Sequence, residues 1–397
     1  MDELRNPFAP GAGAPPPFLV GREEILKSAT VTLARIRDKR PAKSFMLIGL
    51  RGVGKTVLLN SIENVASEQS YKTISIEITE NKRLPDLIIP PLRQLLFALD
   101  RIENLSDKVK RAFRVLKSFT STIKAIKVGQ FELNLDVDPE KGSADSGDLE
   151  ADLSVLFVAV AEAAAARNMP VALFMDEMQY LTENELSALI MAMHRIAQEQ
   201  LPLVLIGAGL PQLVGRMGKS KSYAERLFNF PKIGNLEDKD ARDALIKPVQ
   251  RAHVTFAKAA LDELIHITRG YPYFLQEWGY HTWNVAEQSP ITLQVVHVAQ
   301  PIVIQKLDES FFRVRFDRLT PREKEYLRAM AELGSGPYRS GEIADVLGAK
   351  VESIAPLRNG LIKKGMIFSH AHGDTAFTVP LFDEFMKRIM PTFERSS

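Results

Sequence analysis

The 397-residue chain contains no cysteine. That excludes disulfides, thiolate metal sites and cysteine nucleophiles, and it fits a reducing compartment. An excess of one charge sign is also missing: 51 Lys and Arg face 49 Asp and Glu, for a net charge of +2. A generally basic coat for nucleic acid is therefore excluded, so any such binding has to come from local patches. Long apolar runs are scarce. The longest, around 155–166, is broken by Glu162 and is shorter than the ~20 residues a bilayer needs. The opening MDELRNPF lacks the apolar core of a secretory leader, so no membrane partner is expected and the expected location is the cytoplasm. The histidines show no metal-ligand spacing, and no Ser/His/Asp triad suggests itself.

What is present is an ordinary globular composition, 45% hydrophobic and 25% charged, enough for two or three domains. Residues 1–17, with a run at Pro15–Pro16–Pro17, read as a flexible tether. From 18 to 235, helices alternate with short apolar runs at 44–48, 171–175 and 203–207 and with the period-two run 73–78. Such alternation predicts an α/β domain with a parallel sheet. Within it, 100–150 reads as an insertion, with a hairpin over 124–127 and 131–137. Only helical periodicity follows over 236–312, an all-α lid. Residues 320–393 predict a winged helix: Thr320-Pro321-Arg322-Glu323 opens it as a capping box, and a His372-Gly373-Asp374 turn joins two strands, 366–369 and 377–379.

Gly49-Leu50-Arg51-Gly52-Val53-Gly54-Lys55-Thr56 fits G-x-x-x-x-G-K-[ST] in full, after a buried strand and before a helix that continues through Val57. Glycines let successive backbone N–H groups converge on phosphate oxygens at a helix N-terminus. Lys55 is expected to reach the β- and γ-phosphates of ATP, and Thr56 to place its hydroxyl on Mg²⁺. Asp176-Glu177 ends the apolar run 171–175, where an acidic side chain faces the ligand crevice of an α/β sheet. Asp176 is expected to hold Mg²⁺ through water, and Glu177 to orient or deprotonate the attacking water.

Phosphate loop, Val171-Ala172-Leu173-Phe174-Met175-Asp176-Glu177, all-α region and winged helix, in this order, resemble an AAA+ ATPase. The likeness is to the branch that joins origin-recognition initiators to signalling (STAND) ATPases, and to bacterial ATP-binding proteins carrying GAGLPQL, YAERLF and FTVPLFD stretches. The resemblance implies that Val20-Gly21-Arg22 packs over the adenine and that Pro272, in Gly270-Tyr271-Pro272, lies near the nucleotide. It implies an ATP-dependent homo-oligomer in which Arg226, or less well Arg216, serves a neighbour's γ-phosphate. An ion pair with Glu225 or a backbone cap is the other reading of Arg226. Two features depart from the pattern. Gly207-Ala208-Gly209 stands where a polar γ-phosphate sensor is usual, and the second-sensor arginine is missing, with Arg269 the nearest substitute.

The partner is read from charge. Lys350, Arg358, Lys363 and Lys364 against Glu352 give +3 over 350–364, a candidate recognition helix for double-stranded DNA, with Ser353 as its N-cap and Pro356 in its first turn. The basic stretch 101–127 is a second DNA candidate; alternatively it pairs with the acidic stretch 132–152. Two functions stay open: an ATPase whose nucleotide state controls grip on DNA or a partner protein, and a STAND-like switch acting through protein contacts alone.

Overall fold

The computed structural model describes residues 1–11, 13–99, 106–122, 138–369 and 373–393. They form two compact units, 22–49 with 55–233, and 1–21 with 50–54 and 234–397. No helix among the described residues is long and apolar enough to cross a membrane.

The first unit contains α1 (Glu23–Arg37), β1 (Ser44–Gly49), α2 (Lys55–Glu68), β2 (Lys72–Glu77), α3 (Leu84–Leu99) and α4 (Asp107–Thr122). It continues with α5 (Leu149–Ala166), β3 (Val171–Asp176), α6 (Glu183–Gln198), β4 (Leu203–Gly209), α7 (Gln212–Ser220), α8 (Ala224–Leu227), β5 (Phe228–Asn229) and β6 (Lys232–Ile233). The sheet is parallel, in the order β2-β3-β4-β1-β5, with β6 also on β1. Every residue of β1, β3 and β4 is buried, whereas β2 at the edge alternates, which explains their continuous and alternating sequences. β4 runs two residues past the expected 203–207, because Ala208 and Gly209 stay paired with Leu47 and Ile48. The pairings Ile48↔Gly209 and Met175↔Gly207 bring Gly49, Asp176 and Gly209 to one edge of the sheet.

Helix α4 falls within the stretch 100–150 expected as an insertion. Its apolar side (Val109, Phe113, Leu116, Phe119) enters the core, and it packs on α5. On its polar side Arg111 pairs with Glu140 (3.4 Å) and Glu162 (2.9 Å), and Lys108 with Glu162 (3.1 Å). The expected hairpin over 124–127 and 131–137 lies outside the described residues.

The second unit comprises α9 (Asp238–Arg251), α10 (Lys258–Thr268), α11 (Pro272–Val285), α12 (Leu293–Lys306), a π-helical turn (Leu307–Phe312) and α13 (Arg313–Phe316). There follow α14 (Pro321–Leu333), β7 (Tyr338–Arg339), α15 (Ser340–Leu347), α16 (Val351–Lys363), β8 (Ile367–Phe368), β9 (Asp374–Phe377) and α17 (Phe382–Ile389). The last three strands form an antiparallel sheet, β7-β9-β8. Thr320 and Glu323 make the expected capping box. Strand β9 lies earlier than the expected 377–379, since it is the centre strand and pairs on both sides. The expected turn at 372 falls partly outside the described residues.

Two expectations are corrected in this unit. The start of the chain is not a free tether: Phe8 is buried, Asn6 Nδ2 donates to the Tyr280 carbonyl (2.9 Å), and Trp283 Nε1 donates to the Asp2 carbonyl (3.0 Å). One apolar ring and one amide outweigh the extended preference of the prolines around them. Helix α16 starts at Val351 with Lys350, not Ser353, at its N-cap, so Pro356 lies inside the helix. The Ser353 hydroxyl instead donates to the Lys350 carbonyl (2.7 Å), closing the first turn from within.

Candidate functional site

The loop after β1 turns on Gly52 and Gly54, at φ +75° and +90°, a left-handed region that a Cβ disfavours. Its tip, 50–54, groups with the second unit. There Tyr271 is fully buried and donates its hydroxyl to the Arg51 carbonyl, so close that a Cβ on Gly52 would collide with it. Burial pushes the Tyr271 phenol well above its ordinary range.

In the α/β unit, Lys55 and Thr56 open α2, with Lys55 buried. Thr56 Oγ1 donates to Asp176 Oδ2 at 2.5 Å, and the Glu177 backbone N–H donates to Asp176 Oδ1 at 2.7 Å. Residues 120 apart in sequence are thus joined because β3 delivers Asp176 to the edge of the sheet where α2 begins. Burial raises the Asp176 carboxyl above the ordinary carboxylate range, against the Thr56 and Glu177 hydrogen bonds and the Lys55 charge. The hard oxygens of Thr56 and Asp176 fit Mg²⁺, which takes few protein ligands and completes its shell from phosphate and water. No cluster of three or more carboxylates or imidazoles that could hold a metal exists among the described residues.

Residues 19–206 match the AAA ATPase domain family, and residues 309–386 match a domain of unknown function, DUF8462. The first match falls on the α/β unit and is a similarity over less than half of the chain. Comparison with curated proteins gives no match. Among solved structures, the Walker-type ATPase paby2304 of Pyrococcus abyssi aligns at TM-score 0.52 and 18% identity, over 93% of this chain and 96% of that one. That likeness is one of fold. The T158V variant of RuvB from Thermotoga maritima (0.46, 14%, 90% and 92%) and the Aeropyrum pernix Orc1 protein in complex with DNA (0.45, 15%, 94% and 93%) are more distant.

The other expected positions distribute as follows. Glu177 follows Asp176 in a left-handed conformation, φ 55°, and receives a hydrogen bond from Gln179 Nε2, a residue the sequence did not single out. Val57 continues α2, with its carbonyl accepting from Ser61 Oγ (2.9 Å). Val20 is buried, and Gly21 adopts φ +68° beside Asp240, whose Oδ2 would stand 2.5 Å from a Cβ there. Arg22 is buried at the N-cap of α1, and Pro272 is the first residue of α11. Arg226 is exposed on α8. Arg216 instead donates to the carbonyls of Gln179 (2.7 Å) and Leu181, fixing the turn behind Glu177. Arg269 caps α10 in the left-handed region and is exposed.

The four cations of 350–364 divide. Lys350 and Lys363 are exposed. Arg358 donates to Thr375 Oγ1 (2.9 Å) and Ser369 Oγ (3.1 Å), and Lys364 Nζ to Glu323 Oε2 (2.7 Å). Two of the four are therefore committed inside the module.

Proposed function

We propose that this chain binds ATP with Mg²⁺ and hydrolyses it slowly, and that its nucleotide state governs contact with DNA or a protein partner through residues 320–393, read as a winged helix. The observation that carries the reading is the 2.5 Å contact between Thr56 and Asp176 beside buried Lys55. Lys55 binds the β- and γ-phosphates, with the backbone of 49–54 cradling them; Thr56 and Asp176 hold the metal; Glu177 takes the proton of the attacking water. Arg226, exposed and on a short helix, is available to a neighbouring subunit's γ-phosphate in an ATP-dependent oligomer.

Melting with millimolar ATP·Mg²⁺ tests the binding. At one hundred times Kd a ligand of the native state adds about 2.7 kcal/mol, and an unchanged melt overturns the proposal. Glu177→Gln is expected to keep that stabilisation and abolish turnover, whereas Lys55→Ala weakens binding itself. A switch acting through protein contacts is the second reading. It draws support from Arg358 and Lys364, whose internal bonds reduce the charge left for DNA phosphates.

A further inference from the structure

The end of β4, Gly207-Ala208-Gly209, carries no polar side chain, yet the register Ile48↔Gly209 sets it beside the last residues of β1 before the phosphate loop. The short turn Met178–Tyr180 covers this end. A Cβ on Gly207 would collide with the Met178 sulfur, and one on Gly209 would stand 3.2 Å from Gln179 Oε1 and 2.7 Å from Leu213 Cδ2. The glycines are therefore the space into which the turn packs. Gln179 is buried there. Its Oε1 accepts from the Leu210 backbone N–H at 3.1 Å, and its Nε2 donates to the Glu177 carboxylate. Only one orientation of the amide satisfies both, because an N–H needs an acceptor and a carboxylate needs a donor. Arg216 holds the turn through the Gln179 and Leu181 carbonyls, and the Tyr180 N–H donates to the Glu177 carbonyl (3.1 Å).

We infer that Gln179 is a positioning residue for Glu177, tying its carboxylate to the backbone at the end of β4 and supplying from the turn the polar group that β4 lacks. The inference rests on the hydrolytic reading of Glu177. A neutral amide is well matched to this role, since it donates a directed hydrogen bond to the carboxylate without adding a charge. Because its other end is bonded to the Leu210 N–H, a displacement of the β4 end moves Glu177 with it. Glu177 cannot settle elsewhere without leaving that amide hydrogen unpaired in a buried place.

The test compares wild type, Gln179→Leu and Gln179→Glu in steady-state ATP hydrolysis, with melting in ATP·Mg²⁺ as a separate measure of binding. Gln179→Leu keeps most of the volume and loses both bonds. It is expected to lower kcat at least about tenfold, leaving KM and the ATP·Mg²⁺ melting shift within about twofold. Gln179→Glu keeps the acceptor for Leu210 but sets a second carboxylate against Glu177. Its activity relative to wild type is expected to rise as pH falls from about 8 to 6, as a shared proton restores the donor. A merely structural role would not produce that pH dependence. Wild-type kcat in Gln179→Leu, or equal loss of binding and turnover, overturns the inference. A Gln179→Glu profile parallel to wild type also overturns it, and serves where the leucine variant does not fold. Wild type that binds ATP·Mg²⁺ without turnover overturns the hydrolytic reading instead, and Gln179's role with it.

Discussion

Asp176 combines a cost with a purpose. Its carboxylate is buried, and Thr56, the Glu177 amide and the Lys55 charge only partly offset the lost hydration, so its affinity for a proton is raised. A carboxyl with a raised folded-state pKa penalises the fold when ionised and relieves it as pH falls through that value. Asp176→Asn keeps an oxygen for one donor and removes the charge. The ligand-free variant is therefore expected to melt about 2 °C higher than wild type, while its Mg²⁺-dependent stabilisation disappears. In wild type the Mg²⁺-dependent shift is expected to fade on acidification at pH values above the ordinary carboxylate range, which a series of melts reads directly. Lys55, Thr56 and Asp176 were legible in the sequence because a loop between strand and helix, and an acid at a strand end, are local patterns. Gln179 was not. Its role depends on two strand ends meeting in space, and its sequence signal was the pair of glycines that make room for it.

At the scale of elements, the C-terminal helices turn charge to internal use. Burial raises the Glu323 carboxyl, but the bonds from Lys364 and Thr320 outweigh it and hold the group below its ordinary value. That stabilisation is present above the unfolded pKa and lost as pH falls through the lowered one. Lys364→Ala leaves Glu323, only 6% exposed, without its cation. Discounted for the partly exposed lysine, the cost is expected to be about 1–2 kcal/mol by denaturant melt, with the acid transition moved to higher pH. Arg358→Ala is expected to cost a similar amount, by removing the guanidinium that bonds the fully buried Thr375 hydroxyl and Ser369. The sequence displayed four cations but not their partners, because the acceptors come from α14 and β9. The same limit hid the docking of the first residues: proline content signals extension, whereas one asparagine and one phenylalanine found sites on α11.

For the whole molecule, alternation of apolar runs and helices was enough to read a parallel sheet, since crossovers leave few other arrangements. The strand order was not readable, because every buried run looks alike. If DNA is the partner, exposed Lys350, at the N-cap of α16, and Lys363, at its end, are the cations of 350–364 left to meet phosphates. Replacing both by Ala is expected to shallow the log–log salt slope of binding by about 2, at about 0.9 per phosphate, with ATP binding unchanged. The order itself governs how the chain is made. β1 stands between β4 on one side and β5 and β6 on the other, and all three are synthesised more than 150 residues after it, as Phe45↔Ile206 and Ser44↔Phe228 record. During translation, β2 can wait for β3, but the strand that bears the phosphate loop has no neighbour in the sheet until β4 emerges. Closing such a long loop is slow. A nascent chain stopped short of β4 thus holds a complete G-x-x-x-x-G-K-T sequence on a strand with both edges bare, a species for chaperones rather than for nucleotide.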